Sequence, residues 1–519
     1  MTSRGPRAGG ALRWIVLLVI VAAALVQLPM PFWGDQALFA YAAHGMRHGD
    51  RLYVDFWDYK QPGIYLWYLV SGSLFGFHEA GIHIGELIWA VAFAAATQRM
   101  LRDRVQHRWV ADVAPLFTVG AFLATARAWD LTQIEDLVAF PLLLTIWSAA
   151  AADAAPPHSR ARALRLLLSG LAAAVVVYFK LVYVLIPLIF WLALLVRWRR
   201  REHERATTSE SALLLGGLVV PLLPLLAYFL AEHLLGTMWW TYVTYPPRIV
   251  SSIDPPPFSR LRDGVEYFVK SFVWLVPLAV IGLRAQLARA RRPRDPLVVG
   301  LVIWFVVGWG TVLIQNQWGY QFVLPLTPLG LLAVFGLDHA VGAWNAQRTR
   351  RVLALVGVVV VALAGYPAVQ AVHKVKALAQ DDLTLSANGR HAYDADFEPY
   401  YRDAREAVAW VNAPGRTPGA IHVEGNPLIQ YLSNRPYALR EHGWAPEQSD
   451  ARLWGWTRAE LRAAQPVYLW VDDFSLDIMR KRSHETLTLI SQLYCKVHPV
   501  ADGAWYALRT SDECRETRP

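Results

Sequence analysis

Residues 29–63 read PMPFWGDQALFAYAAHGMRHGDRLYVDFWDYKQPG and stand between two apolar segments. The segment before them, Trp14 to Met30, is long enough to cross a bilayer core, which takes roughly 17–25 apolar residues. Charges in lipid are costly, so Asp35, Asp55, Asp58 and Lys60 must lie in water or inside protein. What surrounds this stretch decides between those two.

The chain has 519 residues, 55% hydrophobic and 18% charged, with a mean hydropathy of +0.27. That is too apolar for a soluble globule and points to an α-helical polytopic membrane protein. Apolar stretches recur to about Gln370, after which the composition becomes that of a soluble domain. The formal charge of +9 comes from arginines in short clusters between apolar segments, such as RDRVQHR, RWRRREHER and RAQLARARRPRD. Clusters so placed are topology signals and not a nucleic-acid surface. A cleaved signal peptide would fit the N-terminus, but a retained first span is expected because the apolar run continues to Met30, and either puts Pro31 onward outside the cytoplasm.

With the basic clusters at 1–13, 99–108, 160–165, 197–205, 284–294 and 348–351 inside, the expected spans are 14–30, 82–101, 110–127, 136–152, a hairpin within 166–196, 212–231, 265–283, 297–314, 322–340 and 351–370. The total is about eleven. The N-terminus is cytoplasmic and the C-terminal part extracytoplasmic. GIYLWYLVSGSLFGF, 63–77, has no basic cluster at its far end and is expected to lie along the outer interface or re-enter. Lys180 breaks the 166–196 run and marks the outer turn of the hairpin.

The outer face then holds a first loop of about 31–80, the short RAWDLTQIED and an aromatic loop of about 232–263. Residues 1–374 form the membrane domain and 375–519 a small α/β domain, with strands expected at 420–425, 466–473 and 504–509. Both cysteines, Cys495 and Cys514, fall there, so a disulfide is allowed by compartment. No nucleotide-binding loop, internal repeat or metal-ligand spacing is present in the sequence, and nucleotide-driven transport has no support.

Asp35 opens an amphipathic segment at the bilayer boundary, where it can cap a helix or serve as a general base. An Asp just after the first span, then Y-x-D-F-W-D-x-K-x-P ahead of an apolar segment, resembles the polytopic type C glycosyltransferases. The closer likeness is to bacterial relatives of the protein mannosyltransferases and the lipid A aminoarabinose transferases. YFKLVYVLIP, GYQFVLPLTPLGLLAVFG and IHVEGNPLIQYLSNRPYALR extend it. Gln36 stands where many relatives carry Glu, and Gln61 where they usually carry a Pro pair.

The resemblance implies transfer of a sugar from a polyprenyl-phosphate donor to a glycan, lipid or protein acceptor at the outer face of the plasma (inner) membrane. Asp35 would take the acceptor's proton and drive direct displacement with inversion. Lys60, with Lys180 and Arg248, would hold the phosphate as its charge builds. Asp58, Glu135 and Tyr59 would contact sugar or acceptor. No metal ligand set is assigned, although a divalent cation near Asp35 and Glu135 would fit the carboxylates. A transporter or flippase would need charges within the bundle and, often, repeated halves, whereas here the ionisable residues are expected to gather in the outer loops and no halves repeat. A glycan ligase or polymerase differs only in acceptor.

Overall fold

The computed structural model describes residues 8–516 except 201–203, 253–255, 289–294, 346–349, 382, 384–385, 443, 446 and 448–449. Parts of the basic clusters at 1–13, 197–205, 284–294 and 348–351, and of the aromatic loop, lie outside the described residues. Among those described, ten helices are long and apolar enough to cross a membrane. The chain is a polytopic α-helical membrane protein with a small C-terminal sheet domain.

The eleventh expected segment, 110–127, is present but broken. A helix over Arg108–Val113 passes through a 3-10 turn at Ala114–Phe117 and resumes at Val119–Thr125. Pro115 supplies no N–H for a continuous helix, and Thr118 leaves helical geometry at φ −121°, ψ −92°. The first span, α1, is Ala8–Gln27. Two helices follow in the first outer loop, α2 at Gly34–Arg47 and α3 at Pro62–Phe75. At about 1.5 Å per residue α3 is too short to cross, and its start is set by Pro62 at the first helical position. The next span, α4, is Glu79–Leu101.

Burial sorts the bundle by depth. The most apolar stretch of Gly319–Trp344 is 94% buried and runs through its centre, whereas that of Arg350–Gln380 is 6% buried and exposes Val358 and Val361. The central helix meets Val276–Ala288 by backbone contact, since a Cβ on Gly336 would lie 1.8 Å from the Leu278 carbonyl oxygen and one on Gly282 2.2 Å from that of Leu332. Small residues at such crossings let membrane helices gain packing where no hydrophobic force between them operates. The last span continues past 370 to Gln380, which carries Lys374 inward to donate to the Leu123 carbonyl at 2.9 Å. Glu86 is also buried in the bundle, accepting from the Thr132 amide at 3.0 Å. Ionisable residues therefore do not gather only in the outer loops.

The outer domain is a mixed four-stranded sheet in the order β1–β2–β4–β3. Its strands are β1 (Ile421–Glu424), β2 (Tyr468–Asp472), β3 (Tyr494–Val500) and β4 (Gly503–Leu508), with β1 and β2 parallel and the other pairs antiparallel. Three fall where expected; β3 has no counterpart among the expected strands. Cys495 and Cys514 form a disulfide that ties β3 to the C-terminal helix.

The domain sits on the first outer loop. The Trp57 amide donates to the Arg440 carbonyl at 2.6 Å, and Trp33 stacks on Trp444 at 5.2 Å. Tyr401 donates to Glu79 at 2.8 Å at the head of α4.

Candidate active site

Five segments distant in sequence surround one cavity of about 570 Å³. Tyr59, Lys60 and Gln61 come from the first loop, Gln133 and Glu135 from the second, and Lys180 from the hairpin turn. Tyr242 comes from the aromatic loop, and Gln315, Asn316 and Tyr320 from the start of the central helix.

Lys60 is buried, with its ammonium 3.2 Å from Asp35 Oδ1 and 3.3 Å from Asp58 Oδ2. The Tyr59 and Phe39 rings lie 4.7 and 5.3 Å from it. Burial opposes its charge, but Asp35 and Asp58 outweigh burial and hold the ammonium well above the usual lysine range. Asp35 moves upward as well, mainly through burial and partly through the Asp58 charge, against the pull of Lys60.

Asp35 is not the N-cap of α2. It is the second residue of the helix, and Gln36 does the capping by accepting the Trp33 amide at 2.7 Å. The Gln36 amide also donates to the Ala128 and Leu131 carbonyls at 2.6 and 2.7 Å. A Glu could not make those two donations, so Gln36 fixes the second outer loop against α2. Gln61 precedes α3 as its N-cap residue and lines the cavity.

Asp58 is held by Tyr65, whose hydroxyl donates to its Oδ2, and by the Tyr59 amide on Oδ1 at 2.6 Å. It lies behind Lys60 and does not reach the cavity wall. Asp35 also lies one layer back, with Lys60 and the Tyr320 hydroxyl, 3.4 Å from its Oδ2, standing at the wall. Asp55, by contrast, is partly exposed and bound to Arg51 at 2.9 Å.

Glu135 and Lys180 form a second pair across the cavity at 2.7 Å, with Tyr183 donating to the same carboxylate oxygen at 2.6 Å. Asp35 and Glu135 are thus each paired with a lysine. Among the described residues, the group of metal-ligating side chains close enough to share an ion is His422, Glu424 and Glu441, in the outer domain. Arg248 stands on the exposed rim, 2.9 Å from Asp450, and is not part of the cavity wall.

Two residues of the site have no sequence signal. Glu447, from the outer domain, is buried beside Lys60; burial raises its carboxyl well above the usual range, Lys60 opposes this and Asp58 and Asp35 add to it. It lies in APEQSD, which reads as a plain loop. Arg260 is buried and donates to the Asn316 and Val250 carbonyls at 2.6 and 3.0 Å, joining the aromatic loop to the start of the central helix.

This arrangement, a membrane bundle with two interfacial helices and a capping outer domain over a lysine-lined cavity, is the type C glycosyltransferase fold. Neither a family profile nor a curated protein sequence matches the chain. Among solved structures it is similar to ArnT from Cupriavidus metallidurans bound to undecaprenyl phosphate, at 15% identity and a TM-score of 0.57, over 98% of this chain and 99% of that one. It is also similar to the archaeal oligosaccharyltransferase AglB from Archaeoglobus fulgidus, in complex with an inhibitory peptide and a dolichol-phosphate. There the identity is 11% and the TM-score 0.57, over 96% of this chain and 74% of that one. At these identities the likeness is one of fold.

Proposed function

We propose that this protein transfers a sugar from a polyprenyl-phosphate donor to an acceptor hydroxyl at the extracytoplasmic face of the plasma (inner) membrane, with inversion at the sugar carbon. The observation that carries this reading is the pairing of a buried carboxylate, Asp35, with a buried lysine, Lys60, at the wall of a cavity that holds a second lysine, Lys180. Two bound polyprenyl phosphates, in the ArnT and AglB structures of the same fold, support it.

The donor phosphate enters between Lys60 and Lys180 and competes with Asp35 and Glu135 for their ammonium groups. Charge-assisted hydrogen bonds to a dianionic leaving phosphate are stronger than those to a monoanionic sugar phosphodiester, so the lysines favour the transition state. As Lys60 turns to the phosphate, Asp35 loses its cation and becomes the stronger base, free to take the acceptor proton while the oxygen attacks the anomeric carbon. Asp58 and Tyr65 hold Lys60 on its other side. Tyr59 forms part of the wall, and Glu135 orients Lys180 and contacts a sugar hydroxyl. Arg248 serves at the rim, where it meets an arriving headgroup.

The test is a transfer assay with the lipid-linked sugars that accumulate in a deletion strain. Asp35→Asn and Lys60→Ala are expected to insert normally and to lose transfer; near-normal transfer by both would falsify the assignment. A flippase reading predicts instead that both variants still alter which leaflet holds the lipid-linked sugar, with no product formed.

A further inference from the structure

A second group of buried ionisable side chains lies in the outer domain. His422 and Glu424 are two residues apart on β1 and so project from the same face of the strand. His422 Nε2 is 3.0 Å from Glu424 Oε1. Glu441 approaches from another segment, where it forms a parallel bridge with Trp57 of the first outer loop. One ligand atom from each of the three lies within 4.8 Å of the others, and all three residues are at most 1% exposed.

The neighbouring His442 is also buried, and its Nε2 has no hydrogen-bond partner. Its ring stacks on Phe56 at 4.6 Å. Arg440 is engaged by Glu460 through an ion pair and a 2.9 Å backbone bond.

Two carboxylates and one imidazole gathered away from water present a donor set that a cation can join. A neutral imidazole offers one nitrogen lone pair to a cation. A nitrogen with two carboxylate oxygens, and one position left for water or a further histidine, is a donor set that suits zinc.

We infer that His422, Glu424 and Glu441 bind one zinc ion that ties β1 to the Arg440–Glu441 segment of the outer domain, against which Trp57 and so the loop bearing Asp58 and Lys60 are held. Trp57 lies between Phe56, which touches His442, and Asp58, which touches Lys60. The metal therefore acts as a positioning element and takes no part in the transfer chemistry.

The test uses the detergent-purified full chain, metal analysis and thermal melting. About one zinc per chain is expected, and a chelator should lower the melting temperature by about 5 °C, restored by zinc alone. Glu441→Gln and His422→Gln should each lose the metal and the response to zinc, while Asp35→Asn keeps both. Loss of zinc in Asp35→Asn would place the ion in the catalytic cavity and overturn the assignment. So would metal retained equally by Glu441→Gln and His422→Gln, or a wild-type chain that carries none and melts unchanged with chelator. The wild-type chelator experiment needs no variant to fold. None of these results depends on the transfer activity.

Discussion

Asp35 carries the most specific demand of the account, because a base must be ionised to work. Its carboxyl is raised by burial, with Asp58 adding to the shift. Activity should therefore rise with pH through a value above the ordinary aspartate range, then level off. Asp58→Asn removes a like charge and leaves Lys60 to Asp35 alone, so both effects move that acidic limb to lower pH, provided Lys60 stays in place. A pH profile of kcat/KM for the two proteins checks it, and an unmoved limb would remove Asp35 as the titrating base. Asp35→Asn itself should cost on the order of 10²-fold or more in kcat, the usual worth of a positioned base. Lys60, Lys180 and Asp35 stand out in the sequence because charge beside apolar segments is costly, and the resemblance gave them their proposed roles. Glu447, Tyr320 and Tyr65 do not stand out, since each is an ordinary residue in its own segment and acquires meaning only when another element brings Lys60 or Asp35 to it.

At the level of elements, the site depends on how the outer domain rests on α2. A Cβ on Gly34 would lie 2.4 Å from Trp444 and 2.8 Å from the Asn426 side chain, both in the outer domain. Gly34→Ala should therefore lift that seat. Overpacking of this kind typically costs about 1–3 kcal/mol, and limited proteolysis should cut the 437–450 segment faster than in the wild type. Gly336→Ala acts elsewhere, forcing apart the helices Val276–Ala288 and Leu326–Asn345. It should lower the melting temperature of the membrane part without exposing the outer segment. The broken helix at 108–125 was read as continuous because its composition is largely apolar. Its interruption comes from Pro115 and from packing against α1 and α4, which hydropathy does not record. β3 was missed because YCKVHPV mixes polar residues with a proline at the sheet edge.

Across the whole molecule, the arginine clusters set the expected orientation, with the chain entering from the cytoplasm and the outer domain beyond the membrane. Both native cysteines are joined to each other, which leaves a clean background for labelling. A cysteine at the exposed Arg402 should react with an impermeant thiol reagent in intact cells, and one at the exposed Asp103 only after permeabilisation. The reverse pattern would place the cavity on the cytoplasmic side. The bundle also buries Glu86 and Lys374. Lys374 carries no sign of this in its own segment, which lies beyond the expected end of the last span. The most direct test of the central claim is a structure of the full chain with a polyprenyl phosphate in lipid nanodiscs. Phosphate density about 2.7–3.0 Å from both Lys60 and Lys180, with Lys60 drawn away from Asp35, is the predicted result. Phosphate bound elsewhere, with the Lys60–Asp35 pair intact, would contradict it.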